Sequence, residues 1–160
     1  PFAIRYPRGP AYGVPTEGFR LLRVGSWELL KEGKEGVVLT VGYTVYQALQ
    51  VSQELLKDGL DIAVVNARFI KPMDEELLEK LVQRYDLFIT VEDNVLAGGF
   101  GSGVLEWLAK RGYTKRVLSI GIPDRFIEHG NQNLLREILG IDTKGIREKV
   151  LEFVRNTVRA

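Results

Sequence analysis

Leu87-Phe88-Ile89-Thr90-Val91 runs directly into Glu92-Asp93-Asn94-Val95-Leu96-Ala97-Gly98-Gly99-Phe100-Gly101-Ser102-Gly103. The first five residues form a continuous apolar run of strand length, the pattern of a strand buried on both faces. The glycine-rich stretch then leads into a helical pattern that places Val104, Leu105, Leu108 and Ala109 inward and ends at Gly112. A buried strand joined by a short loop to a helix is the repeating unit of a parallel α/β sheet. The carboxyl ends of such strands are where these folds place their chemistry.

The same unit recurs on both sides. Upstream, Val37-Val38-Leu39-Thr40-Val41 is a strand ending at Gly42. A helix follows from about Tyr43 to Asp58, with Val45, Ala48, Leu49, Leu55 and Leu56 inward, Ser52 on the same stripe, and Gly59 as a left-handed stop. Ile62-Ala63-Val64-Val65-Asn66 is the next strand. The helix after it has Asp74 as its cap and Leu77, Leu78, Leu81 and Val82 on one face; Glu75 and Glu76 at its start and Arg84 near its end complement its dipole. Downstream, Arg116–Ile120 is a strand, Asn133–Leu139 a short helix stopped by Gly140, and Thr143 caps a last helix. The apolar face of that helix is Ile146, Val150, Phe153 and Val154, with Val158 at its margin. Phe19–Val24 and Ser26–Leu30 read as extended, and a polar turn joins them to the first parallel strand as an antiparallel edge. The expected fold is a three-layer α/β/α sandwich with a mixed sheet of about five strands, mostly parallel with one antiparallel edge.

Residues 1–20 differ in character. They hold Pro1, Pro7, Pro10 and Pro15, four of the chain's six prolines, and proline denies the backbone its donor. Phe2-Ala3-Ile4 reads as the end of a strand whose sheet lies upstream. The expected division is 1–20 as exit strand and linker and 21–160 as one domain.

Composition narrows the function classes. The 160 residues are 45% hydrophobic, enough for a packed core. The 22 basic and 21 acidic residues leave a net charge of +1, which gives no broad field for nucleic acid. No apolar run approaches the roughly 20 residues of a membrane span. The absence of cysteine excludes thiolate zinc sites and a disulfide scaffold. With a Lys/Glu/Arg-rich surface it points to a reducing compartment and heat adaptation, read here as bacterial cytoplasm. One histidine and a chain beginning at Pro1 lead to the expectation that this is part of a larger enzyme.

The candidate chemical groups gather at the strand ends. Gly98-Gly99-Phe100-Gly101-Ser102-Gly103 lets backbone amides approach an anion. However, Val104 and Glu106 stand where a dinucleotide fingerprint needs glycine, and no Gly-Lys-Ser/Thr follows. Close packing of a helix against a sheet or partner subunit is the favoured reading, and ligand binding the alternative. Glu92 and Asp93 are adjacent on an extended segment, so they point opposite ways and suit capping and loop hydrogen bonds better than a shared metal or acid–base pair. Asp124 faces the same edge. His129 lacks a nucleophilic partner nearby in sequence, and a structural or interface role is the plainer one. Ser102 lies in Gly-Ser-Gly, outside the nucleophile-elbow pattern. Arg5-Tyr6-Pro7-Arg8-Gly9 offers two guanidinium forks suited to phosphate, although a solvated basic turn reads the same. Arg68 and Lys71 sit at another strand exit, where helix entry or subunit contact suffices.

Five strings together resemble the C-terminal part of the 1-deoxy-D-xylulose-5-phosphate synthase family: Arg5–Gly9, Asn66–Asp74, Thr90–Asn94, Gly98–Val104 and Gly121–Gly130. They stand in that family's order and spacing, with Asp93 where glutamate is expected. The resemblance implies a transketolase C-terminal-like domain preceded by the last strand and exit loop of a pyrimidine-binding domain. It implies a homodimeric transferase that uses thiamine diphosphate and Mg²⁺ to join pyruvate to glyceraldehyde 3-phosphate, for isoprenoid, thiamine and pyridoxal synthesis. The cofactor sites belong to upstream domains, so no catalytic, cofactor or metal residue is expected in this chain, and the chain alone is expected to be inactive. By position, Arg8 binds the phosphate of glyceraldehyde 3-phosphate, while Arg5 serves as support or exposed charge. The alternatives are another superfamily member, such as a transketolase or a 2-oxo-acid dehydrogenase β subunit, or a non-catalytic assembly module. A nucleotide-binding flavodoxin-like domain is disfavoured by the missing phosphate fingerprints.

Overall fold

In a computed structural model the chain is described at residues 1–6, 13, 18 and 20–158, the side chains of residues 157 and 158 excepted. In chain order the elements are β1 (Glu28–Lys31), β2 (Gly36–Thr40), α1 (Thr44–Lys57), β3 (Ile62–Asn66), α2 (Glu75–Arg84), β4 (Leu87–Val95), α3 (Phe100–Lys110), β5 (Arg116–Ile122), α4 (Gln132–Leu139) and α5 (Thr143–Val158).

The five strands form one sheet in the order β1-β3-β2-β4-β5. β2, β3, β4 and β5 are parallel, and β1 pairs antiparallel with β3 at the edge. Side-chain alternation divides the interior. Val37, Leu39, Ala63, Val65 and Phe88 face one side, where they meet Leu78, Leu81 and Val82 of α2 and Phe100, Val104, Trp107 and Leu108 of α3. Val38, Ile62, Val64, Leu87, Ile89 and Val91 face the other, against Ala48, Val51 and Leu55 of α1 and Ile146 and Val150 of α5. This is the expected three-layer mixed α/β sandwich with one antiparallel edge.

Several local expectations are corrected. Between residues 20 and 31 only Glu28–Lys31 is strand. A turn closed by Ser26 N–H to the Arg23 carbonyl (3.0 Å), with Gly25 at φ 79°, breaks the segment ahead of it. Phe19 lies outside the described residues. β4 continues past Val91 to Val95, and β5 reaches Ile122. The ladder between them is interrupted after Val91 and resumes at Val95 opposite Ile122, so Glu92-Asp93-Asn94 stays extended although its sequence is polar. On α3 the inward stripe is Phe100, Val104, Trp107 and Leu108, while Leu105 and Ala109 are exposed. On α1, Val51 is buried and Leu56 is exposed, one position off the stripe that Ala48 and Leu55 define. The cap of α5 is Asp142, whose Oδ1 accepts from Gly145 N–H at 3.0 Å; Thr143 instead donates to Gln50 Oε1 at 3.1 Å. Asp74 caps α2 as expected, accepting from Leu77 N–H (3.0 Å), and its other oxygen accepts from Trp27 N–H (2.8 Å), which locks the approach to β1 onto α2.

Residues 1–6 form neither helix nor strand and are exposed. No helix among the described residues is long and apolar enough to cross a membrane.

Candidate functional site

The parallel strands all deliver their carboxyl ends to one edge, and the groups singled out above meet there. The most constrained is Glu92, which is 1% exposed. Phe100 N–H donates to its Oε2 and Gly101 N–H to its Oε1, both at 2.8 Å. These are two of the free donors that begin α3, so a side chain of the protein supplies the anion that the glycine-rich helix start attracts. The glycines are required by this approach. A Cβ on Gly101 would lie 2.5 Å from Thr90 Oγ1 and 3.1 Å from Ser119 Oγ, and one on Gly99 would overlap the Glu92 carboxylate itself. Ser102 belongs to the same turn, donating to the Leu96 carbonyl (2.7 Å) and accepting from Gly98 N–H (3.1 Å).

Asp93 points the other way, as adjacent strand residues must. Its Oδ2 accepts from Arg136 Nη2 (2.6 Å) and Nε (3.2 Å). Arg136 comes from α4, is 5% exposed, and lies over the Tyr43 ring at 4.0 Å from its centre. The backbone carbonyl of Asp93 accepts from Arg5 Nη2 at 2.7 Å. One edge of the domain therefore holds Arg5, Tyr43, Asp93 and Arg136 in a connected group, beside the Glu92 cap.

The other candidates are not drawn in. Asp124 and His129 are exposed on the loop before α4 and make no hydrogen bond or ion pair among the described residues. Arg68 binds back to the β1 segment, donating to the Ser26 carbonyl (3.1 Å) and Glu28 Oε2 (3.0 Å). Arg8 lies outside the described residues. Sequence reasoning missed Arg136 and Tyr43. Arg136 is an arginine in an amphipathic helix, and its partner lies 43 residues away, so no local spacing marks it.

This edge does not fit a diphosphate. The Phe100 and Gly101 amides are already taken by a buried carboxylate, and a second anion there would meet it at close range. Among the described residues no group of three or more His, Cys, Asp or Glu gathers to hold a metal ion.

Residues 25–146 match the family model for the transketolase C-terminal domain. This chain belongs to the transketolase C-terminal domain family. The chain is 59% identical over 155 residues, 97% of its length, to a 1-deoxy-D-xylulose-5-phosphate synthase of Aquifex aeolicus, and covers 25% of that protein. It is 49% identical over 141 residues to the synthase of Lysinibacillus sphaericus, covering 86% of this chain and 22% of that protein. The chain thus spans about a quarter of the length of these curated relatives. Among solved structures, a split-gene transketolase described as an inactive β4 tetramer superposes with a TM-score of 0.77 at 28% identity, over 84% of this chain and 44% of that one. Transketolase from Campylobacter jejuni gives a TM-score of 0.54 at 26% identity, over 80% and 18%. The resemblance read from five strings thus extends over nearly the whole chain.

Proposed function

We propose that this domain is part of a 1-deoxy-D-xylulose-5-phosphate synthase, which condenses pyruvate with glyceraldehyde 3-phosphate and releases CO₂. The observation that carries the reading is the 59% identity to the Aquifex aeolicus synthase across 155 residues. The two transketolase structures match at 28% and 26%, which places the synthases ahead of transketolase as the reading. The product is a precursor for isoprenoids, thiamine and pyridoxal.

Thiamine diphosphate with Mg²⁺ supplies the electron sink in such an enzyme. The cofactor is read as held by other domains of the same polypeptide, a reading supported at the α3 start by the Glu92 carboxylate already seated on the Phe100 and Gly101 amides. This chain's part is structural and local. Residues 1–20 serve as the exit strand and linker from a preceding pyrimidine-binding domain, residues 21–160 pack on neighbouring domains and a second subunit, and Arg8 binds the aldehyde's phosphate. Exposed Leu21, Leu22 and Val24, with Leu134 and Ile138 on α4, provide apolar surface for such packing. A homodimer in the bacterial cytoplasm completes the reading.

The test is Arg8→Ala in the complete synthase. KM for glyceraldehyde 3-phosphate rises roughly tenfold or more, the loss of one charge-assisted contact, while KM for pyruvate stays put. Equal effects on both substrates remove Arg8 from the phosphate.

A further inference from the structure

We propose that α4 is the seat of the preceding domain of the same polypeptide, with Leu134 and Ile138 at the centre of the contact. The inference rests on the reading above that such a domain leads into this one.

α4 is amphipathic the wrong way round for a helix facing water. A surface helix ordinarily turns its apolar stripe inward and its charges outward. Here Arg136 is the one buried side chain of α4, at 5% exposure, while Leu134 and Ile138 are 53% and 66% exposed. The helical repeat sets them opposite. Residues two before and two after Arg136 lie about 160° around the axis from it. Being four apart, Leu134 and Ile138 stand one above the other on that outer face.

The helix is firmly held in this pose. Arg136 Nη2 and Nε donate to Asp93 Oδ2 at 2.6 and 3.2 Å. At the start of α4, Asn131 Oδ1 accepts from Asn133 N–H at 2.9 Å. At its end, Lys149 Nζ of α5 donates to the Leu139 carbonyl at 2.9 Å. These polar ties fix a short helix with its apolar face outward.

The occupant follows from where the polypeptide reaches the domain. Arg5 Nη2 donates to the carbonyl of Asp93 at 2.7 Å, and Asp93 is the residue whose side chain Arg136 grips. Residues 1–6 therefore meet the domain beside α4. They bring Phe2, Ile4 and Tyr6, all exposed, at alternate positions. The Arg5 bond is itself exposed and adds little stability. The chain covers 25% of the Aquifex aeolicus relative, so on the reading above most of the polypeptide lies outside this domain. A domain attached through residues 1–6 and resting on α4 covers both apolar sets. Apolar groups gathered at one place on a surface mark such contacts, and a tethered partner needs less contact area because it is already held nearby.

Hydroxyl-radical footprinting of the complete protein, read by mass spectrometry, tests this without a variant. After correction for intrinsic reactivity, Leu134 and Ile138 should label as little as fully buried Leu78. That is about fivefold below half-exposed aliphatic side chains, because the core of an interface excludes water. The protection should persist on dilution to single chains. Labelling at the half-exposed level overturns the proposal. Protection lost on dilution overturns it too, and gives the face to a second copy. Leu134→Gln combined with Ile138→Gln in the complete protein should speed hydrogen exchange in residues 1–6 and in the domain ahead of them. Leu105→Gln, at an exposed position of α3, should leave both at the parent rate. Exchange that changes within α4 alone, or equally with Leu105→Gln, counts against the contact. Product formation by the same preparation tests the synthase reading separately. A shielded α4 without product keeps this contact and removes the synthase; product with α4 open removes the contact alone.

Discussion

Replacing Glu92 by Gln isolates charge from shape at the best-defined point of the site. The parent carboxylate accepts two backbone N–H groups at 2.8 Å while 1% exposed. A glutamine amide has one oxygen, so its NH₂ must face either Phe100 N–H or Gly101 N–H, donor against donor. The lost charge-assisted bond is worth roughly 1.5–3 kcal/mol. Removing a negative charge from the start of α3 adds about 0.3–2 kcal/mol. The cheaper burial of a neutral amide offsets part of this. The net expectation is a loss of about 2–4 kcal/mol, against a total stability of roughly 5–15 kcal/mol for a domain. Urea unfolding of the 160-residue chain, followed by tryptophan fluorescence and far-UV circular dichroism, measures it by linear extrapolation. Thermal melts should show a drop of about 5–15 °C. A Glu92→Gln chain within about 0.5 kcal/mol of the parent refutes the idea that the α3 start depends on that charge.

Two glycines three positions or less into α3 give opposite signs. Gly101→Ala drives a methyl to 2.5 Å from Thr90 Oγ1 and should cost about 1–3 kcal/mol. Gly103→Ala, which meets nothing within 4 Å, should gain about 0.5–1 kcal/mol from helix propensity; urea melts with equal shifts for both would contradict the close approach. The Asp86 carboxyl is held below its ordinary range chiefly by the hydrogen bond from Lys115 Nζ (2.8 Å) and by that ammonium's charge. Because the folded value is the lower one, its stabilisation is complete above the ordinary carboxylate range near pH 4 and drains as pH falls through the folded value. Asp86→Asn should therefore narrow the stability difference between neutral and acid pH, and parallel pH–stability curves for variant and parent would contradict this. Leu78→Ala, at a fully buried α2 position, should cost about 2–5 kcal/mol in the same urea assay, and a cost under 1 kcal/mol would show that α2 is not seated on the sheet as described.

The parallel strands were legible because burial on both faces leaves unbroken apolar runs such as Val37–Leu39 and Leu87–Val91. Helix faces were less so. On α3, Val104 and Leu108 of the four apolar positions chosen by spacing are buried while Leu105 and Ala109 are exposed, and the stripe is completed by Trp107 and by Phe100, which packs edge-on against Trp27 at 5.7 Å. That contact spans 73 residues of sequence and has no local signature. The polar end of β4 was read as loop, since extended geometry there comes from the Glu92 cap and the resumed ladder at Val95. Capping by Glu92 was legible in kind from its place beside a glycine-rich helix start. The salt bridge from Asp93 to Arg136 was not, because a lone arginine on a helix offers nothing to distinguish burial from solvation.

The most direct test of the proposed synthase is formation of 1-deoxy-D-xylulose 5-phosphate. The complete protein, given pyruvate, glyceraldehyde 3-phosphate, thiamine diphosphate and Mg²⁺, should release one CO₂ per molecule of that product, while the 160-residue chain under the same conditions should yield none. A complete protein that forms no such product, or a 160-residue chain that turns over unaided, would contradict it.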